Sequence, residues 1–139
     1  MAAAAGVAVL QELDEKGLID RVNPAGKYLQ SALEAEFGQH PHVGDIRGRG
    51  LFIGIEFVAD RETKDPFSPK ANIAGKLKAT AMSEGLVCYP MQGTIDGSSG
   101  DHVLLAPAYI ITYAQIDELV EKLARAVSCL LYTSDAADE

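Results

Sequence analysis

The sequence predicts an α+β fold, a small, mostly antiparallel sheet with helices packed on one face. Three observations predict it. The apolar periods run in the order ααββαββα, the links between most neighbouring elements are short, and 47% of the 139 residues are hydrophobic, which is enough for one core.

The first helix covers about residues 2–16, with Ala3, Val7, Leu10 and Leu13 on one side and Gly17 placed as its C′ residue. The second covers about 18–37. There Ile19, Val22, Gly26, Leu29, Leu33 and Phe37 recur at three- and four-residue spacing, and Gly38 ends the run. Pro24 falls inside this pattern and either kinks the helix or marks a first turn capped by Asn23. Two strands follow, 43–47 and 51–58. The second alternates, so Leu51, Ile53, Ile55 and Phe57 share a face, and Gly48-Arg49-Gly50 forms the hairpin link. Gly54 inside that strand admits a close-packed neighbour. Residues 60–67 are a polar loop. Ser68-Pro69 opens a third helix, which runs to about Glu84 with Ile73, Ala74, Leu77 and Ala81 inward and Gly85 closing it. Residues 86–89 read as a third strand and 102–106 as a fourth. Between them Pro90 to Asp101 is an aperiodic loop whose length marks it as a functional candidate. Thr112-Tyr-Ala-Gln115 is a capping box, after which Ile116, Leu119, Val120, Leu123, Ala124 and Val127 form an amphipathic stripe.

Composition excludes several functions. Twelve basic against 20 acidic residues leave a net charge of −8, a balance that disfavours nucleic acid and anionic membrane as partners. No run of 18 apolar residues occurs, and Met1–Leu10 lacks the basic flank of a signal peptide. Two cysteines, Cys88 and Cys129, make neither a disulfide framework nor a metal set. The expectation is a soluble, cytoplasmic, acidic domain.

The candidate chemical residues do not assemble into a catalytic set. Gly48-Arg49-Gly50 is not followed by the Gly-Lys-Ser/Thr of a phosphate loop. His40 and His42 read as exposed loop histidines. His102 follows Asp101 and offers a base with an orienting carboxylate, but neighbours on a strand point to opposite faces. Cys88 reads as a small core residue, and Asp60, Glu62 and Asp65 as a solvated turn. Arg47 and Arg49 either clamp a carboxylate bidentately or pair with Asp45 and Glu56.

Three segments in series resemble the C-terminal small domain of class III pyridoxal-phosphate aminotransferases, of the ω-amino-acid and amine transaminase type. They are Val43-Gly-Asp-Ile-Arg-Gly-Arg-Gly-Leu-Phe-Ile-Gly-Ile-Glu56, Asp60-Arg-Glu-Thr-Lys-Asp-Pro-Phe67, and the stretch from Gly85 to Thr112 that closes on Gly100-Asp-His-Val-Leu-Leu-Ala-Pro107. The resemblance runs over about residues 2–127. It implies the fold-type I architecture, in which a large domain carries the cofactor and the small domain folds back over the active site. It implies pyridoxal 5′-phosphate as electron sink in the parent protein, an amine or amino acid and an oxo acid as substrates, and a homodimer. The large domain supplies the Schiff-base lysine, and none of its motifs is present here, so no catalytic or cofactor-binding residue carries over and this chain alone is expected to bind no cofactor and to be inactive. Two family positions that hold a substrate-binding arginine correspond to Tyr89 and Leu104, which become the candidate substrate-binding residues. The absence of both arginines points to an amine or ω-amino-acid donor. Ala108 stands where the family has a second proline. The alternative is a non-enzymatic α+β regulatory or interaction domain. The two differ in what they expect of the surface, since a domain cut from a larger enzyme exposes apolar residues on its first helix and around its sheet.

Both ends are expected to be non-native boundaries. Met1 opens directly inside an alanine-rich helix. Residues 129–139 resemble the translated read-through of a sequencing adapter, whose CTCTTATACACATCT core encodes Leu-Tyr-Thr-Ser. The expected domain is therefore 1–128, and without the tail's Asp135, Asp138 and Glu139 the net charge is −5.

Overall fold

A computed structural model describes residues 2–135. The elements are α1 (Ala2–Glu15), α2 (Leu18–Phe37), β1 (Val43–Arg49), β2 (Phe52–Phe57), a 3₁₀ turn (Pro69–Ala71), α3 (Ile73–Ser83), β3 (Tyr89–Gln92), β4 (Asp101–Leu105) and α4 (Tyr113–Asp135). The strands form one antiparallel sheet, as the sequence predicts, and their order is β1-β2-β4-β3.

Alternation decides which face of the sheet is covered. Val43, Ile53, Ile55, Phe57, Val103 and Leu105 point inward and are buried. They meet Ala25, Leu29, Leu33 and Phe37 of α2, Ile73, Leu77 and Ala81 of α3, and Ile116, Leu123 and Val127 of α4. All helices of the core lie on this side. Gly17 takes φ +57° between α1 and α2, the left-handed C′ conformation expected of it. Pro24 lies inside α2, which runs through it. The capping box of α4 is present in both directions: the Thr112 amide donates to Gln115 Oε1 at 2.9 Å, and the Gln115 amide donates to Thr112 Oγ1 at 3.2 Å.

Several boundaries differ from expectation. β1 runs on to Arg49, with Gly48 and Arg49 in the ladder opposite Ile53 and Phe52, so the link is Gly50-Leu51 alone and not Gly48-Arg49-Gly50. The third helix is split, because Asn72 adopts φ +50° between the Pro69–Ala71 turn and α3. The first free amides of α3 are instead served from a distance, the Ala74 N–H donating to Asp101 Oδ1 at 3.0 Å. Next, β3 begins at Tyr89 and not at Leu86. Gly85 at φ +72° turns the chain, and the Leu86 amide donates back to Ala81 O at 2.8 Å, so 86–88 belong to the exit from α3. The expected long loop is correspondingly shorter. Pro90–Gln92 are ladder residues on an edge strand, where a missing amide is tolerated, and 93–100 form the hairpin connection. Finally, α4 does not stop at Val127. No glycine or proline follows, and buried Leu130 extends the apolar stripe. Of the expected tail, residues 136–139 lie outside the described residues.

Exposed apolar side chains include Ile19, Met82, Val87 and Ile95, and two groups that lie close together. On α1, Val7, Val9 and Leu10 are open to solvent, and Tyr109 and Ile110 lie exposed beside that helix. On the uncovered side of the sheet Phe52, Tyr89 and Met91 are exposed.

Candidate functional site

The candidate site is this uncovered sheet face. Its layout follows from the register. One row crosses all four strands as Arg47–Gly54–Leu104–Tyr89, and the next as Asp45–Glu56–His102–Met91. Tyr89 and Leu104, named separately from the sequence, are thus direct cross-strand partners on adjacent strands. Leu104 is half-buried and Tyr89 is 62% exposed.

Gly54 has no side chain in the middle of the first row, and a hollow of about 420 Å³ opens there. Its walls include Arg49, Phe52, Thr94, His102 and Leu104. A Cβ on Gly54 would sit 3.4 Å from Leu104 Cδ2, so this glycine keeps the floor low. Gly50, at φ +58°, makes the tight β1–β2 link that places Arg49 opposite Phe52. Thr94 comes from the β3–β4 hairpin, which is closed by Gly93 N–H to Gly100 O at 2.8 Å. Within it Asp96 Oδ1 accepts the amides of Ser98 and Ser99 at 2.8 and 2.6 Å, which holds that carboxyl below the usual range.

The two arginines divide the alternatives left open by the sequence. Arg47 Nη1 donates to Asp45 Oδ2 at 2.7 Å and to Glu56 Oε2 at 2.8 Å, so its charge is spent within the sheet. Among the described residues no carboxylate lies within ion-pair distance of Arg49.

The other candidates sort out as follows. Asp101 and His102 point to opposite faces. Asp101 is 1% exposed beneath α3, its pKa raised by burial against the opposing pull of the Ala74 amide and His102. Its Oδ2 and His102 Nδ1 are both buried without a hydrogen-bond partner, and the two side chains form no base–orienter pair. His40 and His42 are not exposed loop residues but half-buried. The His42 amide donates to His40 Nδ1 at 3.2 Å, while His42 Nδ1 lies 3.0 Å from Ala59 O. Arg61 draws this corner in by donating to the carbonyls of Gly38 and His40. Cys88 packs half-buried against the core, and burial raises its thiol pKa. Asp60 Oδ1 accepts the Glu62 and Thr63 amides, which makes its loop a turn. Sequence reasoning missed the Asp101 cap of α3, since the only available signal was a carboxylate at an inward strand position.

Comparison with known proteins settles the family. Residues 1–127 match the pattern of the class III aminotransferases. The chain belongs to that family. It is 47% identical over 128 residues to an aminotransferase of Schizosaccharomyces pombe, covering 92% of this chain and 28% of that protein. A thermostable (S)-enantioselective omega-transaminase from Thermomicrobium roseum superimposes with a TM-score of 0.83 at 29% identity, over 94% of this chain and 27% of its own. An omega-transaminase of Pseudomonas jessenii, solved in complex with PMP, gives 0.73 at 28% identity over 87% of this chain and 25% of its own. This class III aminotransferase chain therefore spans little more than a quarter of the length of the relatives it matches. The reading as a self-contained regulatory domain is not favoured.

The residues present do not fit a pyridoxal phosphate site by themselves. Of the seven lysines none lines the sheet hollow. Lys16 pairs with Glu12, Lys122 with Glu118, and Lys64 donates to Gly44 O. No reaction step is therefore assigned to this chain alone. Among the described residues, no group of three or more metal-ligating side chains converges, and no helix is long and apolar enough to cross a membrane.

Proposed function

We propose that this chain is the C-terminal small domain, residues 1–128, of a pyridoxal-phosphate-dependent transaminase that moves an amino group from an amine or ω-amino acid to an oxo acid. The parent is a cytoplasmic homodimer, and the small domain contributes substrate contacts through Tyr89 and Leu104. The observation that carries this reading is the pairing of those two residues across β3 and β4, on the one sheet face that no helix covers. The exposed apolar residues on α1 and around the sheet support it, because a domain that packs against a larger partner leaves such surface open when alone. Tyr89 offers a ring and a hydroxyl, and Leu104 an apolar contact, both suited to an uncharged substrate end. Residues 129–139 are read as adapter-derived, on their likeness to a translated adapter sequence.

The test is to recover the upstream reading frame and express the joined protein. The expected result is a cofactor adduct that borohydride fixes onto one lysine outside this chain, with amine-dependent turnover of an oxo acid. The 139-residue chain treated in the same way is expected to show no site-specific labelling. Fixation onto a single lysine among its own seven would overturn the assignment of inactivity.

A further inference from the structure

We infer that Arg49 is a carboxylate-recognising residue of this sheet face, and that the hollow over Gly54 seats the carboxylate end of an oxo or amino acid. The inference rests on the transaminase reading for its substrate class and on the geometry for its location. Four ionisable groups line the hollow: Arg47, Arg49, Glu56 and His102. Arg47 and Glu56 are already paired at 2.8 Å, and Arg47 also holds Asp45. Their pairing leaves Arg49 as the cation of the lining that no carboxylate holds. A guanidinium offers a planar fork of donors that matches a carboxylate, and nothing among the described residues takes up that fork.

The surroundings favour an organic anion over a bare ion. Phe52, 57% exposed, stands opposite Arg49 in the ladder, and Leu104 and Gly54 give an apolar floor two positions further along β2. A short oxo acid could set its carboxylate on Arg49 and lay its carbon chain over Gly54 toward Leu104 and Tyr89. Arg47 then acts as a positioning residue, since it keeps Glu56 from capturing Arg49 or repelling the ligand.

The test is a titration of the isotope-labelled 139-residue chain with 2-oxoglutarate at constant ionic strength, followed by NMR, with sodium chloride as control. The expected result is saturable shifts of the Arg49 Nε–H, Phe52, Gly54 and Leu104 signals, with a dissociation constant on the order of 10 mM. Arg49→Gln, at an exposed position, is expected to weaken binding at least tenfold, and Arg49→Lys to restore only part of it. Gly54→Leu fills the hollow and should abolish the same shifts with Arg49 intact. Shifts that do not saturate, that follow chloride equally, or that survive Arg49→Gln overturn the proposal. A failed titration alongside an active joined enzyme removes Arg49 alone. A joined protein without amino transfer fails the transaminase reading whatever the titration shows.

Discussion

On the inner side of β2, Ile53, Ile55 and Phe57 are each at most 1% exposed and locked among three helices. On the outer side of the same strand Phe52 is largely exposed, Gly54 has no side chain, and Glu56 is held by Arg47. Six consecutive residues thus serve two different ends. The inner set is chosen for volume and apolarity, because close packing tolerates little else. The outer set mixes ring, glycine and ion pair, a combination that contributes little to a core and much to a surface waiting for a neighbour. The difference teaches where stability and function separate in this domain, and substitutions on either side should separate them experimentally.

The largest contrast is expected from truncating side chains. Phe57→Ala should cost about 3–5 kcal/mol in urea unfolding, through lost burial and the cavity left behind. Leu104→Ala on the open face should cost less than about 1 kcal/mol. Comparable losses at the two positions would mean that the outer face is covered in solution.

Two glycines sharpen the same comparison. Glycine to alanine inside a helix usually stabilises by up to about 1 kcal/mol. At Gly26 the added Cβ would stand 2.3 Å from the Gly50 carbonyl, so α2 would be driven off the β1–β2 hairpin. Gly26→Ala is expected to destabilise by about 1–3 kcal/mol, while Gly54→Ala meets only the flexible end of Leu104 and should stay near neutral. Thermal melts of the two variants check this directly.

How far these features were legible in the sequence follows from the same division. The inner face obeys a period, so α2 and the alternation of β2 could be read from spacing alone, and the α4 capping box from its motif, whereas the apolar side of α1 has the helical period but stays exposed. Two of the boundaries that moved also depend on contacts distant in sequence. Asn72 can break the third helix because Asp101, 27 residues beyond Ala74, serves the Ala74 amide. Likewise β3 starts at Tyr89 because β4 supplies its ladder partners. For the site, Tyr89 and Leu104 were legible only through family resemblance, and no local pattern distinguishes Arg49 from Arg47. Their different fates depend on Asp45 and Glu56, which a β-bulge between Val43 and Asp45 and the β1–β2 register bring to Arg47.

Asp101 tests the junction between the faces, since it turns inward beside the outward-facing His102. Burial raises its folded pKa, so the protonated form is the better tolerated one. Its contribution to stability is therefore fully present below the unfolded value near 4 and is lost as pH rises through the folded pKa. Asp101→Asn keeps an acceptor for the Ala74 amide without the charge. It should match or exceed the parent in stability at pH 7 and lose that advantage in acid. Asp101→Ala, which removes the cap, should cost about 0.5–2 kcal/mol.

The smallest effect is expected at the His40 corner, and its sign is opposite. Burial lowers the His40 pKa, reinforced by the charges of His42 and Arg61. Its Nδ1 accepts the His42 amide, which requires that nitrogen to be unprotonated. Between the depressed folded pKa and the unfolded value near 6.5, the unfolded chain binds more protons than the folded one, so stability rises with pH across that window. The contribution is present above about pH 6.5 and disappears as pH falls through the folded pKa. His40→Gln removes the titrating group, so its urea midpoint should change less than the parent's between pH 7 and pH 5. A parent whose midpoint is flat over that range would mean that the corner opens to water and that His40 belongs with the exposed face after all.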